Sequence, residues 1–376
     1  MINFMGSKLK MPCFSAYCFI LVCFFFTFQV SAQYPDSIRM NDIRFIASHN
    51  SYKKKPDPGV IKFLSRFKRR LGNEMDPVRM DYGHELLSIQ FSEFEVRGLE
   101  LDLYNDPKGG RFAKRRINLF VPGLRQRTKE TLMSSPGLKM LHIADIDYES
   151  NYSTFRQALA EIKEWSVSNP DHTPIFINLE LKDASPGDYS RFLRFIGFKK
   201  AIPFDSLAYT LVEADIRAIF NEKELFLPKQ LQDTFGSVRE RLQTIGWPSL
   251  NQTLGKIAFI LDGNGAAYRK YAQHQLAFCY SEPGLPETAF VIKNNPIGQE
   301  TSIASLTELY IVRTRTDVET IEARNNDQTM LNAALLSQAQ ILSTDYYRAD
   351  PKLSNYKVSL VELKPERRWP FILRNK

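Results

Sequence analysis

From residue 42 onward, short apolar runs recur and alternate with longer segments of helical period. The runs cover 43–48, 99–103, 140–143, 175–181, 257–261, 290–292, 309–313 and 340–343. Many are apolar at successive positions, the pattern of strands covered on both faces. Between them, 155–168 turns Phe155, Leu159, Ile162 and Trp165 onto one helical face, and 318–339 carries a long Ala/Leu pattern. Eight strands separated mostly by helices predict an α/β fold closed as a parallel (β/α)8 TIM barrel. An open, doubly wound sheet is the alternative. Residues 201–254 exceed one crossover and show no strand, so an insertion is expected there.

The barrel pattern starts only after a different kind of segment. Lys8 and Lys10 precede a nearly unbroken apolar stretch from 12 to 30, and Val30-Ser31-Ala32 supplies a small-x-small cleavage pattern. Residues 1–32 therefore read as a signal peptide, with 33–376 as one exported domain, periplasmic or extracellular. A retained membrane anchor is the competing reading, since the apolar run approaches spanning length. Three of the four cysteines fall in this segment, so Cys279 alone would remain and no internal disulfide is expected. The formal charge of +8 would fall to +6, a modest excess that suits anionic partners.

Polar groups gather at one place in the strand pattern. His49-Asn50 follows the first run, and Glu100 and Asp102 lie at i and i+2 of the second, on one face. His142 lies at the end of the third and Glu180 near the end of the fourth, followed by Lys182. In a barrel these strand ends form one rim, where active sites of this fold are found. Carboxylates in apolar strands are costly to bury unpaired. A cation shared by Glu100, Asp102 and Glu180 answers that cost, and a salt bridge to Arg97 or another arginine is the alternative. With the amide oxygen of Asn50, the oxygen donors suit Ca²⁺ or Mg²⁺ rather than zinc. His49 and His142 could then act as general base and general acid on a phosphodiester. His172 precedes its strand and belongs to the opposite face, and His84 and His274 read as structural.

At these residues the sequence resembles the phosphatidylinositol-specific phospholipase C superfamily, in particular its calcium-dependent bacterial branch. The matching segments are Ser48-His49-Asn50-Ser51-Tyr52, Gly98-Leu99-Glu100-Leu101-Asp102, Leu141-His142 with Asp145-Ile146-Asp147, and the run from Ile175 to Lys182. Val312-Arg313-Thr314-Arg315-Thr316-Asp317 and the run from Gln340 to Tyr346 match as well. The resemblance implies a distorted barrel and attack of the inositol 2-hydroxyl on phosphorus, releasing diacylglycerol and a cyclic inositol phosphate. It assigns His49 and His142 to catalysis and Asn50, Glu100, Asp102 and Glu180 to calcium, in preference to magnesium. Lys182, Arg313, Arg315 and Tyr346 would stand where substrate phosphate or the inositol ring is held, although Arg313 and Arg315 also suit an ion pair inside the barrel.

Two basic stretches depart from the family pattern. One follows His49, with Lys53, Lys54, Lys55, Lys62, Arg66, Lys68, Arg69 and Arg70. The other lies between 105 and 139, with Arg111, Lys114, Arg115, Arg116, Arg125, Arg127 and Lys129. Apolar residues between the cations suit peripheral contact with an anionic membrane, and solvated loop charge is the plain alternative. No nucleic-acid-binding motif is present, so nucleic acid is not expected as a partner. A glycerophosphodiester phosphodiesterase is the rival enzyme, but His49-Asn50 departs from its His-Arg start. A noncatalytic lipid- or sugar-binding barrel is the rival of another class.

Overall fold

Parallel pairing organises the chain in the computed structural model, which describes Met1 and residues 34–67, 76–124, 131–364 and 371–374. The expected signal segment lies outside the described residues, as do Lys68, Arg69, Arg70, Arg125, Arg127 and Lys129. Among the described residues ten strands form: β1 (Ile43–Ser48), β2 (Gly98–Asp106), β3 (Gly137–Lys139), β4 (Ile175–Leu181), β5 (Ile257–Asp262), β6 (Ala277–Cys279), β7 (Phe290–Ile292), β8 (Ile311–Arg315), β9 (Ile341–Thr344) and β10 (Ile372–Leu373). Eight of them pair in the order β6-β5-β4-β2-β1-β9-β8-β7, all parallel. A single parallel bridge from Tyr280 to Phe290 joins the two ends. The sheet is a barrel with one thin seam, and the open-sheet alternative is excluded.

The barrel differs from the sequence expectation in one strand. Residues 140–143 form no barrel strand; β3, just before them, pairs antiparallel with the outer end of β2. The eighth barrel strand is instead β6, whose three residues are too few to register as a periodic run. Residues 201–254 are helical in large part, with Ser206–Ile219, Pro228–Gln232 and Val238–Thr244 between β4 and β5. The Ala/Leu pattern of 318–339 breaks into Ile321–Asn325 and Thr329–Leu336, because Asn326 takes a left-handed φ of 50°.

Side chains two apart on a strand share a face, and this builds the barrel interior in layers. At the strand starts, Phe45, Phe176, Ala258, Phe278, Phe290 and Ile341 belong to one apolar cluster, with Phe45 stacked on Phe176 at 4.8 Å. Two residues further on, Glu100, Asn178, Tyr280, Arg313 and Ser343 line a small internal cavity. The next positions on the same face are Asp102, Glu180, Asp262, Arg315 and Asp345. The interior thus runs from an apolar floor to a charged rim. Gly98 sets the spacing beneath it: a Cβ there would lie 2.4 Å from that of Ala47, so only glycine lets β2 lie this close to β1. Outward residues such as Leu101, Ile177 and Phe259 pack with the helix Phe155–Ser168, which Thr154 and Gln157 close in a reciprocal cap.

Candidate active site

The rim holds an acidic nest. Carboxylate oxygens of Glu100, Asp102 and Glu180 all lie within 4.8 Å of one another. Register explains the meeting, since Asp102 pairs with Glu180 and Glu100 with Asn178 across β2 and β4. Asn50 follows β1 with φ 50°, a conformation asparagine tolerates better than most residues. One atom of its amide lies 2.7 Å from Tyr82 Oη, and the other lies 3.1 and 3.3 Å from the two Asp102 oxygens.

Cations already answer part of this charge. Lys182 Nζ lies 3.0 Å from Asp102 Oδ2 and 2.7 Å from Glu180 Oε1. Burial opposes its charge, but Asp102 and Glu180 overcome that and hold the ammonium protonated. Burial holds the Asp102 carboxyl well above its usual range; Lys182 pulls it down while Glu180 and Glu100 push it up. For Glu180 burial acts upward too, yet Lys182 wins and the net shift is downward. Three carboxylates converging in one nest favour a cation among them. The donor set (three carboxylates and an amide oxygen) fits calcium.

Each histidine is backed by its own carboxylate. His49 Nδ1 lies 2.7 Å from Asp345 Oδ1, and His142 Nδ1 lies 2.9 Å from Asp147 Oδ2. These contacts favour the proton on Nδ1 and leave Nε2 for chemistry. His49 Nε2 lies 3.6 Å from Glu100 Oε1, beside the acidic nest. Burial lowers both imidazoles below the ordinary histidine value, with Asp147 acting against that at His142. Burial would raise Asp147, but Lys53 and His142 hold it below the usual carboxylate range. Asp345 is pushed up to about 7 by burial, with Arg315 pulling against it from 3.0 Å.

The supporting residues were not assigned from sequence. Asp147 lies five residues from His142, and Asp345 is far from His49 in the chain, although both aspartates fall in the matching segments. The Lys53 ammonium is fully buried, bonded to the carbonyls of Met80 and Tyr82 at 2.7 and 2.9 Å and 3.3 Å from Asp147. It therefore belongs to the histidine support and not to an exposed basic surface. Arg115 is likewise buried, donating to Ile146 O and Glu149. His84 Nε2 donates to the carbonyl of His49 at 2.8 Å, from an irregular segment and not from a helix. His274 also lies outside a helix, against Arg217, and His172 bonds Ser166 ahead of β4.

Two of the expected substrate residues are buried. Arg313 is buried and donates to Glu100, Ser343 Oγ and Asn294, so it is the ion pair inside the barrel. Tyr346 is buried, with its ring edge-on to Tyr356. For Arg313 the strand position gave the face but not the depth. Arg315 stays near the rim, 3.4 Å from His49 Nδ1, and Lys182 sits in the nest.

Asp147→Asn and Asp345→Asn are each expected to lower turnover roughly 10–100-fold, the range for losing an outer carboxylate that orients a histidine. The loss should appear in kcat with little change in KM. A pH-independent return to wild-type turnover in either variant would remove that carboxylate from the site.

The family model for phosphoinositide phospholipase C, Ca²⁺-dependent, matches residues 38–370. No curated protein matches the chain. Among solved structures, the Ca²⁺-dependent phosphatidylinositol-specific phospholipase C from Streptomyces antibioticus is 15% identical, over 83% of this chain and 96% of that one, with a TM-score of 0.47. A calcium-dependent phosphoinositol-specific enzyme from a Pseudomonas species, in a myoinositol complex, is 16% identical over 83% and 91%, with a TM-score of 0.45. The phosphatidylinositol-specific phospholipase C of Listeria monocytogenes is 11% identical over 86% and 94%, with a TM-score of 0.44.

Proposed function

The chain belongs to the Ca²⁺-dependent phosphoinositide phospholipase C family, and on that premise we propose how its rim cleaves a phosphatidylinositol-type lipid. The observation that carries the reading is the pair of carboxylate-backed histidines beside a three-carboxylate nest. Glu100, Asp102, Glu180 and Asn50 would hold calcium, which when bound polarises the phosphoryl oxygen and stabilises charge developing there. The inositol 2-hydroxyl attacks phosphorus as one imidazole Nε2 takes its proton. The bond from phosphorus to the glycerol oxygen breaks, and the other imidazole returns a proton to that oxygen. The products are diacylglycerol and a cyclic inositol phosphate.

The remaining rim groups have positioning roles. Asp147 and Asp345 keep each imidazole in one tautomer and stabilise it when charged. Arg315, beside His49, would face the substrate phosphate, and it also holds Asp345. Lys182, between Asp102 and Glu180, offsets part of the charge of the nest. Apolar and basic side chains on the loops around the rim support peripheral contact with anionic lipid.

The test is a substrate panel with and without chelator. Purified protein should release diacylglycerol from phosphatidylinositol with calcium and lose that activity when calcium is removed. Cleavage confined to glycerophosphodiesters, or lipid cleavage indifferent to chelator, would overturn the proposal.

A further inference from the structure

Beside the catalytic rim the described residues enclose an apolar groove of about 500 Å³, within the roughly 300–1,000 Å³ of small-molecule sites. Three rim loops build it. Phe63 and Phe67 come from the segment after β1, Ile117 and Phe120 from the one after β2, and Leu193 and Phe198 from the one after β4. These are the strands that present His49 and Asn50, Glu100 and Asp102, and Glu180. Phe63 packs on Phe67 at 5.2 Å and on Phe120 at 6.2 Å between centroids, so the walls from two loops meet.

The groove is joined to the chemistry through its back wall. Ile146 lines it and stands next to Asp147, which holds His142. Asp145, fully buried, ties the loops together: it accepts from the backbone N–H of Arg116 at 3.0 Å and of Lys199 at 2.6 Å. The walls are therefore set by buried hydrogen bonds. Of the lining residues Phe192 is 68% exposed, and Phe195 in the same helix is 87% exposed, far beyond what a core position would show.

Charge selects the occupant. Segments 58–67, 116–124 and 189–198 carry Lys62, Arg66, Arg116, Arg191 and Arg194 and contain no carboxylate. Asp57 and Asp188 bound two of these segments, and cations outnumber them around the apolar lining, which matches a molecule with a long hydrocarbon tail and an anionic head. We propose that this groove binds a fatty-acyl chain of the lipid whose headgroup lies at the rim. The proposal rests on the lipid-cleaving reading of the site. It adds that one chain is drawn out of the bilayer into the protein, so the enzyme recognises tail as well as head.

The test uses the full chain and cis-parinaric acid, a long-chain fatty acid that fluoresces on entering an apolar site, below its aggregation threshold. Wild-type protein in chelator should bind it. Lysophosphatidylinositol should displace it, and glycerophosphoinositol, with the same head and no chain, should not. Leu193→Trp, which fills the groove, should weaken probe binding by at least about tenfold. The same variant should turn over a chain-free nitrophenyl ester of inositol phosphate at the wild-type rate. Failure of the wild type to bind the probe, or displacement by both competitors alike, overturns the groove. Binding to anionic vesicles without probe binding overturns it too, leaving surface contact only. If the probe binds while neither the chromogenic ester nor phosphatidylinositol is cleaved, the groove stands and the catalytic reading falls.

Discussion

His49→Ala and His142→Ala are each expected to lower kcat on phosphatidylinositol by roughly 10²–10⁴-fold, the usual share of general acid–base catalysis. Calcium affinity and fold should stay near wild type. The reason lies in what each imidazole leaves behind. Without His142, Asp147 still faces the buried Lys53 ammonium at 3.3 Å; without His49, Asp345 still faces Arg315 at 3.0 Å. Neither truncation strands an unpaired buried charge, which would be the main route to unfolding. The acidic nest keeps all three carboxylates in both variants. Because the two histidines act on one proton-transfer sequence, the double variant should fall little below the worse single one. Steady-state turnover and calcium calorimetry on the same preparations decide the matter. Near-normal turnover in either variant would remove that histidine from the mechanism, and a matching loss of calcium would move it to the metal.

Asp102→Asn is expected to abolish calcium binding at concentrations that saturate the wild type. At an effective dielectric near 20, one pair of unit charges ~4 Å apart is worth about 4 kcal/mol, close to a thousandfold in affinity. Asp102 is fully buried at the centre of the nest, whereas Glu180 is 36% exposed, so Glu180→Gln should cost less. The metal-free protein should change less, because asparagine relieves the crowding of Asp102 with Glu180 and Glu100 while giving up the charge facing Lys182 at 3.0 Å, which Glu180 still holds. The readout is the rise in Tm on adding calcium, which linkage ties to binding of the folded state. Wild type should show a clear rise and the variant none, with similar metal-free Tm values. A retained calcium-induced shift would remove Asp102 from the metal site.

Much of this site was legible because a strand is a local object. A period of two puts Glu100 and Asp102 on one face wherever β2 lies, and charges in an apolar strand must find a partner. That argument gave the acidic nest from sequence, and the family resemblance supplied most of the roles of His49, Asn50 and His142. It failed where depth mattered. Arg313 and Arg315 share a face of β8, yet Arg313 lies one layer deeper and serves Glu100, while Arg315 reaches His49. Lys53 read as one of three surface lysines, and only the packing of 80–82 around its ammonium reveals a buried charge.

His142 shows the same division from another side. It was assigned to a barrel strand, yet the barrel passes directly from β2 to β4, and His142 rides on the loop that follows the β3 hairpin. Its position at the rim survives because β3 pairs with the outer end of β2. The sequence by itself determined the alternation of strands and helices, the inward face of each strand and the identity of the charges on it. These depend on neighbours a few residues apart. Closure through β6, the depth of each inward charge and the pairing of His49 with Asp345, 296 residues away, belong to the tertiary structure alone. They depend on how eight strands are staggered around the barrel, and no local period encodes that stagger.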